Sequence, residues 1–275
     1  MMKDHMKHVC ACMLGVVLLC VSTTAHAAVD WDESWEYANN QAWIDSPWKN
    51  FACTATSMAG IAEISSDRAF SGTKSMKMTY IGHTPPTTCW MDRFFTAKTE
   101  VLYTRIYMFL DNFVGDPTST KIWSHSDVNS YPAWWWRIFG NNNGHAVSIE
   151  GTNLGTGSNI TSGTIPSGQW VCVETEVRMN TPGVADGIIR SWVNGTLRIN
   201  RTDLLMRFAT NVLVNGAANF NGPTSGMSYT RMYRQWGTGV VYYDRFAVSR
   251  DARIGCLGGQ TDTTAPARPA NFVVN

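Results

Sequence analysis

One five-residue pattern occurs twice in the sequence. It has a tyrosine, an arginine and a second tyrosine at alternating positions. The copies are YTRIY at 103–107 and YTRMY at 229–233. Because side chains alternate across a β-strand, each copy places its arginine between two phenols on one face. A guanidinium binds a carboxylate through a fork of two hydrogen bonds, and a phenol can transfer protons. The two copies therefore favour a groove for an anionic polysaccharide.

Further basic and aromatic residues extend this set along predicted strands. The segment KIWSH places Lys121 and His125 on one side of a strand, and WWWRIF places Trp135 with Arg137. β-Elimination of a uronate needs a cation for the sugar carboxylate, a base for the proton on the adjacent carbon, and an acid for the leaving oxygen. The predicted catalytic residues are Lys121, His125, Tyr233 and Arg105. The predicted substrate-binding residues are Arg137, Tyr107, Glu174, Glu176, Arg178, Arg231 and Trp135.

A pair of glutamates offers a different chemistry. Glu174 and Glu176 share one face of a predicted strand with Arg178. Glycoside hydrolysis uses two carboxylates, but residues i and i+2 of a strand lie roughly 6.5–7 Å apart, between the retaining and inverting separations. The alternative is that Arg178 or Arg190 holds both glutamates in a cross-strand ladder of charges. The sequence leaves the hydrolase interpretation and the ladder interpretation open.

The other candidate residues have structural interpretations as well. Tyrosine and arginine are common on the surfaces of strands, and a single histidine on a strand is more often structural than catalytic. Asp30, Asp32, Glu33 and Asp244 would bind a structural Ca²⁺ if the terminal strands met, but their spacing is not that of an EF-hand. We therefore expect no metal and no cofactor. A lectin-like module that binds glycan without cleaving it remains the main alternative to an enzyme.

The composition predicts an all-β protein. The 275 residues include 12 Trp, 9 Tyr, 11 Phe and 23 Gly, and only 16% are charged. Removal of the first 27 residues takes away two of 22 basic and one of 21 acidic residues, so the remainder is formally neutral. Nucleic-acid binding requires a basic surplus, which is not found here. No membrane span is expected, and the chain is expected to be a monomer.

The N-terminus has the pattern of an export signal. Lys3 and Lys7 precede an apolar run at 9–21, and Ala25-His26-Ala27 fits the small-residue rule for signal peptidase. We predict a signal peptide at 1–27, one sandwich domain at 28–258, and a Pro/Thr-rich tail at 259–275. The protein is expected to be secreted or periplasmic.

Four cysteines remain after the predicted cleavage. They are Cys53, Cys89, Cys172 and Cys256. An even number in an exported chain predicts two disulfides, and we prefer Cys53 with Cys89 and Cys172 with Cys256 among three connectivities. A zinc site would need closer spacing, such as Cys-x-x-Cys.

Alternating segments separated by glycine and proline predict roughly a dozen strands in a two-sheet β-sandwich of jelly-roll type. The segment 170–201 reads as a three-stranded meander with an Asn194-Gly195 hairpin turn. In the segment 101–110, Leu102 and its alternate neighbours are predicted to face the core. The start of the mature chain reads as a strand followed by a polar turn. A short helix is expected at 201–211.

The order of these segments resembles that of secreted concanavalin A-like proteins related to jelly-roll polysaccharide lyases. The likeness runs over about 30–250 and includes SGTKSMKMTY, VLYTRIYMFLDNF, a Lys-bearing strand, W-x-C-x-E and YYDRFAVS. Its most specific part is NTPG-x-x-DG-x-x-x-x-W-x-NG at 180–195. The resemblance implies a sandwich with a carbohydrate groove, to which Arg105, Lys121, Glu174 and Arg178 would contribute. The expected activity is cleavage of a uronate-containing polysaccharide by β-elimination.

Overall fold

Fifteen antiparallel strands and one short helix form the described part of the computed structural model. The structure describes residues 29–49, 62–82, 88–116, 120–126, 135–141, 144–150, 159–210, 222–224 and 226–258. For 88, 135–141, 144–150 and 159–164 it describes the backbone alone. The predicted signal peptide and C-terminal tail lie outside these ranges.

The strands follow the alternating segments of the sequence. In chain order they are β1 (Trp31–Glu33), β2 (Trp48–Lys49), β3 (Ala62–Ser65), β4 (Ser75–Ile81), β5 (Thr88–Thr99), β6 (Val101–Val114), β7 (Lys121–Ser126), β8 (Trp135–Asn141), β9 (Gly144–Glu150), β10 (Asn159–Ile165), β11 (Trp170–Arg178), β12 (Gly187–Val193), β13 (Thr196–Leu204), β14 (Met227–Gln235) and β15 (Thr238–Ser249). The helix α1 spans Asn40–Ile44 and precedes β2.

Two sheets divide these strands. The eight-stranded sheet has the order β13-β12-β11-β6-β15-β4-β3, and β1 also pairs with β15. The seven-stranded sheet has the order β10-β9-β8-β7-β14-β5-β2. Strands distant in sequence are therefore neighbours in both sheets, so residues far apart in the chain share a face.

The hydrophobic core is built from one face of each sheet. In β6, Leu102, Ile106 and Met108 are completely buried in it, as the alternation predicted. Met91 of β5 and Met232 of β14 enter the same core from the seven-stranded sheet. Each buried side chain of this size contributes on the order of 1.5–3 kcal/mol, which fixes the strand register. The alternate residues of the same strands must point away from the core.

The NTPG segment, residues 180–183, lies in the loop that connects β11 to β12. Asn180 is fully buried, and its amide donates to the carbonyls of Thr181 and Val184 at 2.7 and 2.9 Å. Asp186 accepts from the backbone and hydroxyl of Thr181 at 2.6 and 2.7 Å. A side chain at Gly187 would meet the carbonyl oxygen of Leu204 at 2.7 Å, so only glycine fits. The most specific part of the family resemblance is therefore a folded loop.

The predicted helix at 201–211 is wrong. Strand β13 continues to Leu204, and the chain beyond it is irregular as far as the structure describes it. The backbone N–H groups of Met206 and Arg207 donate to Oδ1 of Asn180 at 2.8 and 2.7 Å, not to a carbonyl one turn earlier. A buried tertiary acceptor has overridden the local helical spacing.

A helix occurs instead near the start of the chain, where a strand and a polar turn were predicted. The strand β1 is present, and α1 follows it. Asn39 caps the helix by accepting from the N–H of Ala42 at 2.9 Å, and Trp43 anchors it in the core. With only five residues, α1 shows too little periodicity to be read from the sequence.

We expect Asn180→Ala to lower the free energy of unfolding by about 2–4 kcal/mol, because buried carbonyl and N–H groups lose their partners. The matched control is Asn200→Ala, which removes one exposed bond to Arg190 and should cost less than about 1 kcal/mol. Urea denaturation of both variants measures the difference. Equal losses would contradict the role assigned to Asn180.

Candidate functional site

Polar and aromatic side chains gather on the side of the seven-stranded sheet that faces away from the core. The register pairs Arg231 of β14 with Asp92 of β5, and Tyr233 with Trp90. Tyr229 lies two residues before Arg231, on the same face. We call Trp90, Asp92, Tyr229, Arg231 and Tyr233 the β14 face. It contains the second copy of the Tyr-Arg-Tyr pattern.

Arg231 is at the centre of the β14 face. Its Nε and Nη2 donate to the two carboxylate oxygens of Asp92 at 2.5 and 2.7 Å. The guanidinium carbon lies 5.0 Å from the ring centroid of Trp90, 5.2 Å from that of Tyr229 and 5.9 Å from that of Tyr233. The fork to Asp92 uses two of the three nitrogens and leaves Nη1 outside the pair. Three rings and one carboxylate thus fix the direction of the remaining donor.

The charges on the β14 face follow from burial and from the ion pair. Burial alone would lower the pKa of Arg231, but the hydrogen bonds and negative charge of Asp92 outweigh it, and the pKa lies above its usual value. Burial raises the pKa of the Tyr229 phenol, with the charge of Arg231 acting in the opposite direction. At neutral pH the arginine is therefore a cation, and Tyr229 carries its proton.

His125 lies on the opposite side of the same sheet. It pairs in register with Thr230, and its Nδ1 is 2.8 Å from the Thr230 hydroxyl. The side chain is completely buried, and burial lowers the pKa of the imidazole to about 3. A neutral ring facing the core is not placed to take a proton from a polymer on the β14 face. The structural interpretation of His125 agrees better with this geometry.

Three other predicted residues belong to the same sheet as Tyr233. Lys121 is the first residue of β7 and is partly buried. Arg137 of β8 is its backbone partner, and Trp135 is the partner of Ser124. Lys121, Trp135 and Arg137 therefore lie on the strands next to β14, in the order β14-β7-β8.

Arg105 and Tyr107 lie on the other sheet, so the predicted single groove for all the basic and aromatic residues does not form. Only 3% of Arg105 is exposed, and its Nη2 donates to Asp32 at 3.0 Å. The hydroxyl of Tyr107 accepts from the N–H of Leu257 at 2.6 Å. The C-terminal segment 250–258 crosses this face of the eight-stranded sheet and covers the first copy of the pattern.

The two glutamates on this sheet are engaged in ion pairs. Glu174 accepts from Nε of Arg253 at 3.0 Å and from the N–H of Gly255 at 2.8 Å. Glu176 accepts from Arg190 at 2.8 Å and from Arg178 at 3.4 Å. Both carboxylates are almost completely buried. The predicted ladder of charges is therefore confirmed for Glu176, whereas Glu174 is held by Arg253 and not by Arg178 or Arg190.

A disulfide holds the C-terminal segment in place. Cys172 of β11 is bonded to Cys256, the pairing preferred from the sequence. Cys89 is also disulfide-bonded, and Cys53 lies outside the described residues. The sulfur atoms of the first bond lie close to Glu174, but sulfurs joined to each other are not thiolate ligands for a metal.

The carboxylates considered for Ca²⁺ have other partners. Asp30 pairs with Arg250, and Asp32 pairs with Arg105 and Arg245. Glu33 accepts from Tyr37, Trp48 and Arg93. Asp244 accepts from the backbone N–H groups of Phe70, Ser71 and Arg245. Arginine and N–H donors occupy these oxygens, so the structure gives no support to a calcium site built from them.

Comparison with known proteins supports the resemblance read from the sequence. The sequence model of the family described as "Polysaccharide lyase 14" matches residues 141–225 of this chain. Among solved structures, an endo-β-1,4-glucuronan lyase from the fungus Trichoderma reesei aligns with a TM-score of 0.54 and 14% identity, over 81% of this chain and 95% of that chain. A PL-14 alginate lyase from Aplysia kurodai aligns with a TM-score of 0.55 and 12% identity, over 82% of this chain and 100% of that chain. The cellulose-induced protein Cip1 aligns with a TM-score of 0.54 and 16% identity, over 82% and 100%.

These similarities confirm the fold class, an all-β jelly-roll sandwich, and the resemblance to polysaccharide lyases. A search of curated protein sequences finds no match. None of the helices in the described ranges has the length and apolar character needed to cross a membrane.

Sequence reasoning missed Asp92 and Trp90, although their signal is present. In CWMDRFF, Trp90 and Asp92 alternate with Cys89 and Met91, and a carboxylate among apolar strand residues requires a partner. The partner Arg231 is 139 residues away, and only the pairing of β5 with β14 brings it into contact.

Asp244 of β15 gives a testable pH dependence. Its carboxyl is buried, and burial raises the pKa from 3.8 to about 7. A raised pKa in the folded state stabilises the fold fully below the unfolded value, and this contribution is lost as the pH rises towards 7. We expect the free energy of unfolding to fall by up to a few kcal/mol between pH 4 and 8, and Asp244→Asn to flatten that fall.

Denaturant unfolding across this pH range, with Asp111→Asn on the same sheet as the control, measures the effect. In Asp111→Asn, the free energy of unfolding should depend on pH as it does in the unsubstituted protein. If the free energy of unfolding changed equally with pH in all three proteins, Asp244 would not be the source of the pH dependence.

Proposed function

We propose that this protein is a polysaccharide lyase that cleaves a uronate-containing polymer by β-elimination on the β14 face. The observation that carries the proposal is the position of Arg231, a cation fixed by Asp92 between the phenols of Tyr229 and Tyr233. Cation and phenols are the groups that this reaction requires. The family match at 141–225 and the fold shared with a glucuronan lyase and an alginate lyase support the same reaction class.

Each residue of the β14 face has a role in the proposed reaction. Nη1 of Arg231 binds the sugar carboxylate and neutralises its charge, which makes the proton on the adjacent carbon more acidic. Tyr233 takes that proton as a phenolate and becomes a neutral phenol, and the positive charge of Arg231 stabilises the phenolate before the transfer. The electron pair forms the new C=C bond, and the bond from the next ring carbon to the glycosidic oxygen breaks. Tyr229, which keeps its proton at neutral pH, protonates the leaving oxygen.

Lys121 and Arg137 are proposed to extend the site across the neighbouring strands. Both lie on the β7-β8 side of β14, in register with each other. A polymer that runs across the strands would meet the β14 face first and these two basic residues next. Trp135, two residues before Arg137, is proposed to contact a sugar ring of the same polymer.

A non-catalytic glycan-binding module is the second candidate function. The observation that favours it is the ion pair itself, because Asp92 balances the charge of Arg231 and aromatic rings surround the pair. Such a face can stack on sugars without chemistry. A hydrolase that uses Glu174 and Glu176 receives no support from the geometry, since arginines engage both carboxylates.

Incubation with alginate, glucuronan and heparin, followed by ultraviolet absorbance, tests the reaction, because elimination creates a double bond conjugated with the carboxylate. We expect Tyr233→Phe and Arg231→Lys to lower kcat/KM by about 100-fold or more, since one loses the proton acceptor and the other the fixed fork. The control is Tyr103→Phe in the first copy of the pattern, whose hydroxyl donates to Glu176 and accepts from Arg178, both at 3.4 Å, on the other sheet. Its activity should stay within about twofold of the unsubstituted protein.

Two results would contradict the proposal. If the unsubstituted protein produced no absorbance rise on any of the three polymers, the lyase would be rejected in favour of the binding module. If the protein were active but both variants retained full activity, the reaction would occur away from the β14 face.

A further inference from the structure

A pocket of about 270 Å³ lies beside the β14 face, at the edge of the seven-stranded sheet. Residues of both sheets line it, among them Asp30, Trp31, Arg93, Phe94, Thr96 and Arg250. Apart from Asp30, which was considered for Ca²⁺, none of these residues was singled out for binding by the sequence, and none has a role in the proposed reaction.

The pocket lies beyond the point where β2 begins to pair with β5. Within the described residues β2 pairs with β5 only at Asp92 and Arg93, and no strand continues along this edge beside Phe94 and Thr96.

Two arginines of the pocket retain donors for an anionic ligand. Arg93 donates to Glu33 from Nη1 at 2.9 Å, and its guanidinium carbon stands 4.1 Å from the ring centroid of Trp31. Arg250 donates to Asp30 from Nε and Nη2 at 3.0 and 2.5 Å. These bonds leave Nη2 of Arg93 and Nη1 of Arg250 outside the ion pairs. A carboxylate is the ligand that matches such planar donors.

Phe94 links the pocket to the β14 face, because it lines the pocket and its ring contacts Tyr229. The side chain of Phe94 is 42% exposed, which is unusual for a phenylalanine. Its ring centroid is 5.4 Å from that of Tyr229. A polymer bound at Arg231 would pass from Tyr229 over Phe94 to reach the pocket, and an exposed ring can stack on the apolar face of a sugar.

We propose that this pocket is an additional subsite, which binds a uronate residue of the same polymer several sugars away from the reacting bond. The proposal rests on the proposed function for the identity of the polymer. Arg93 and Arg250 bind the carboxylate of that residue, and Phe94 supports the sugars between the two sites. Long chains are thereby held more tightly than short ones.

The test is the dependence of binding on oligosaccharide length. Calorimetric titration of glucuronan and alginate oligosaccharides, two and eight residues long, is performed in the Tyr233→Phe background so that turnover does not interfere. We expect Arg250→Gln and Phe94→Ala each to raise the Kd for the longer oligosaccharides about 5–10-fold and to leave the Kd for the disaccharides unchanged. Arg201→Gln, which breaks a similar surface ion pair with Asp203, and Leu197→Ala, which truncates an exposed apolar side chain, are the controls and should change neither constant.

The outcomes separate this proposal from the proposed function. If the unsubstituted protein cleaves a uronate polymer but the variants bind long oligosaccharides as tightly as the controls do, the subsite is overturned and the lyase remains. If no polymer is cleaved but the length-dependent loss is observed, the subsite stands and the lyase falls. Because Phe94 is exposed, its variant is expected to fold, and an unchanged Kd in that variant alone overturns the path over Phe94.

Discussion

The ion pair between Asp92 and Arg231 is the interaction on which the candidate site depends. A guanidinium on a strand surface is flexible, and it becomes a directed donor only when other groups hold it. Here a completely buried carboxylate on the adjacent strand takes two of its nitrogens, and three aromatic rings surround it. A buried carboxylate needs a charged partner, and the partner gains a fixed orientation from the same contact. Core packing and strand register place Asp92 beside Arg231, and this ion pair then fixes the arrangement of the β14 face.

The two copies of the Tyr-Arg-Tyr pattern show how one local sequence acquires two roles. In β6 the copy lies beneath the C-terminal segment, where Arg105 binds Asp32 and Tyr107 binds Leu257. The Cys172–Cys256 disulfide and the Glu174–Arg253 pair hold that segment in place. In β14 the copy lies beside Asp92 on the other sheet. The two copies differ because the C-terminal segment covers the copy in β6. The five residues of the pattern do not contain the information that would predict which copy is covered.

The sequence therefore predicted the sandwich better than the site. Alternation along β6 is a local property, and it predicted which residues of that strand enter the core. The segment at 180–195 also carried a correct resemblance, because Asn180 and Gly187 have to form one particular loop. The grouping of Arg105 with Tyr233 was wrong, since it required knowledge of which sheet each strand joins. Asp92 was missed for the same reason, and the helix at 201–211 was wrong because a buried amide outside that segment accepts its N–H groups.

The central claim is that the chain breaks a glycosidic bond by elimination and not by hydrolysis, and product masses test it most directly. Mass spectrometry of a uronate polymer of defined length, digested with the unsubstituted protein, measures whether water has been added. If the bond is broken by elimination, the masses of the fragments sum to the mass of the intact polymer. Each fragment with a new non-reducing end is then lighter by one water than the corresponding fragment from hydrolysis. Fragments that together contain one additional water for every bond cut would contradict elimination.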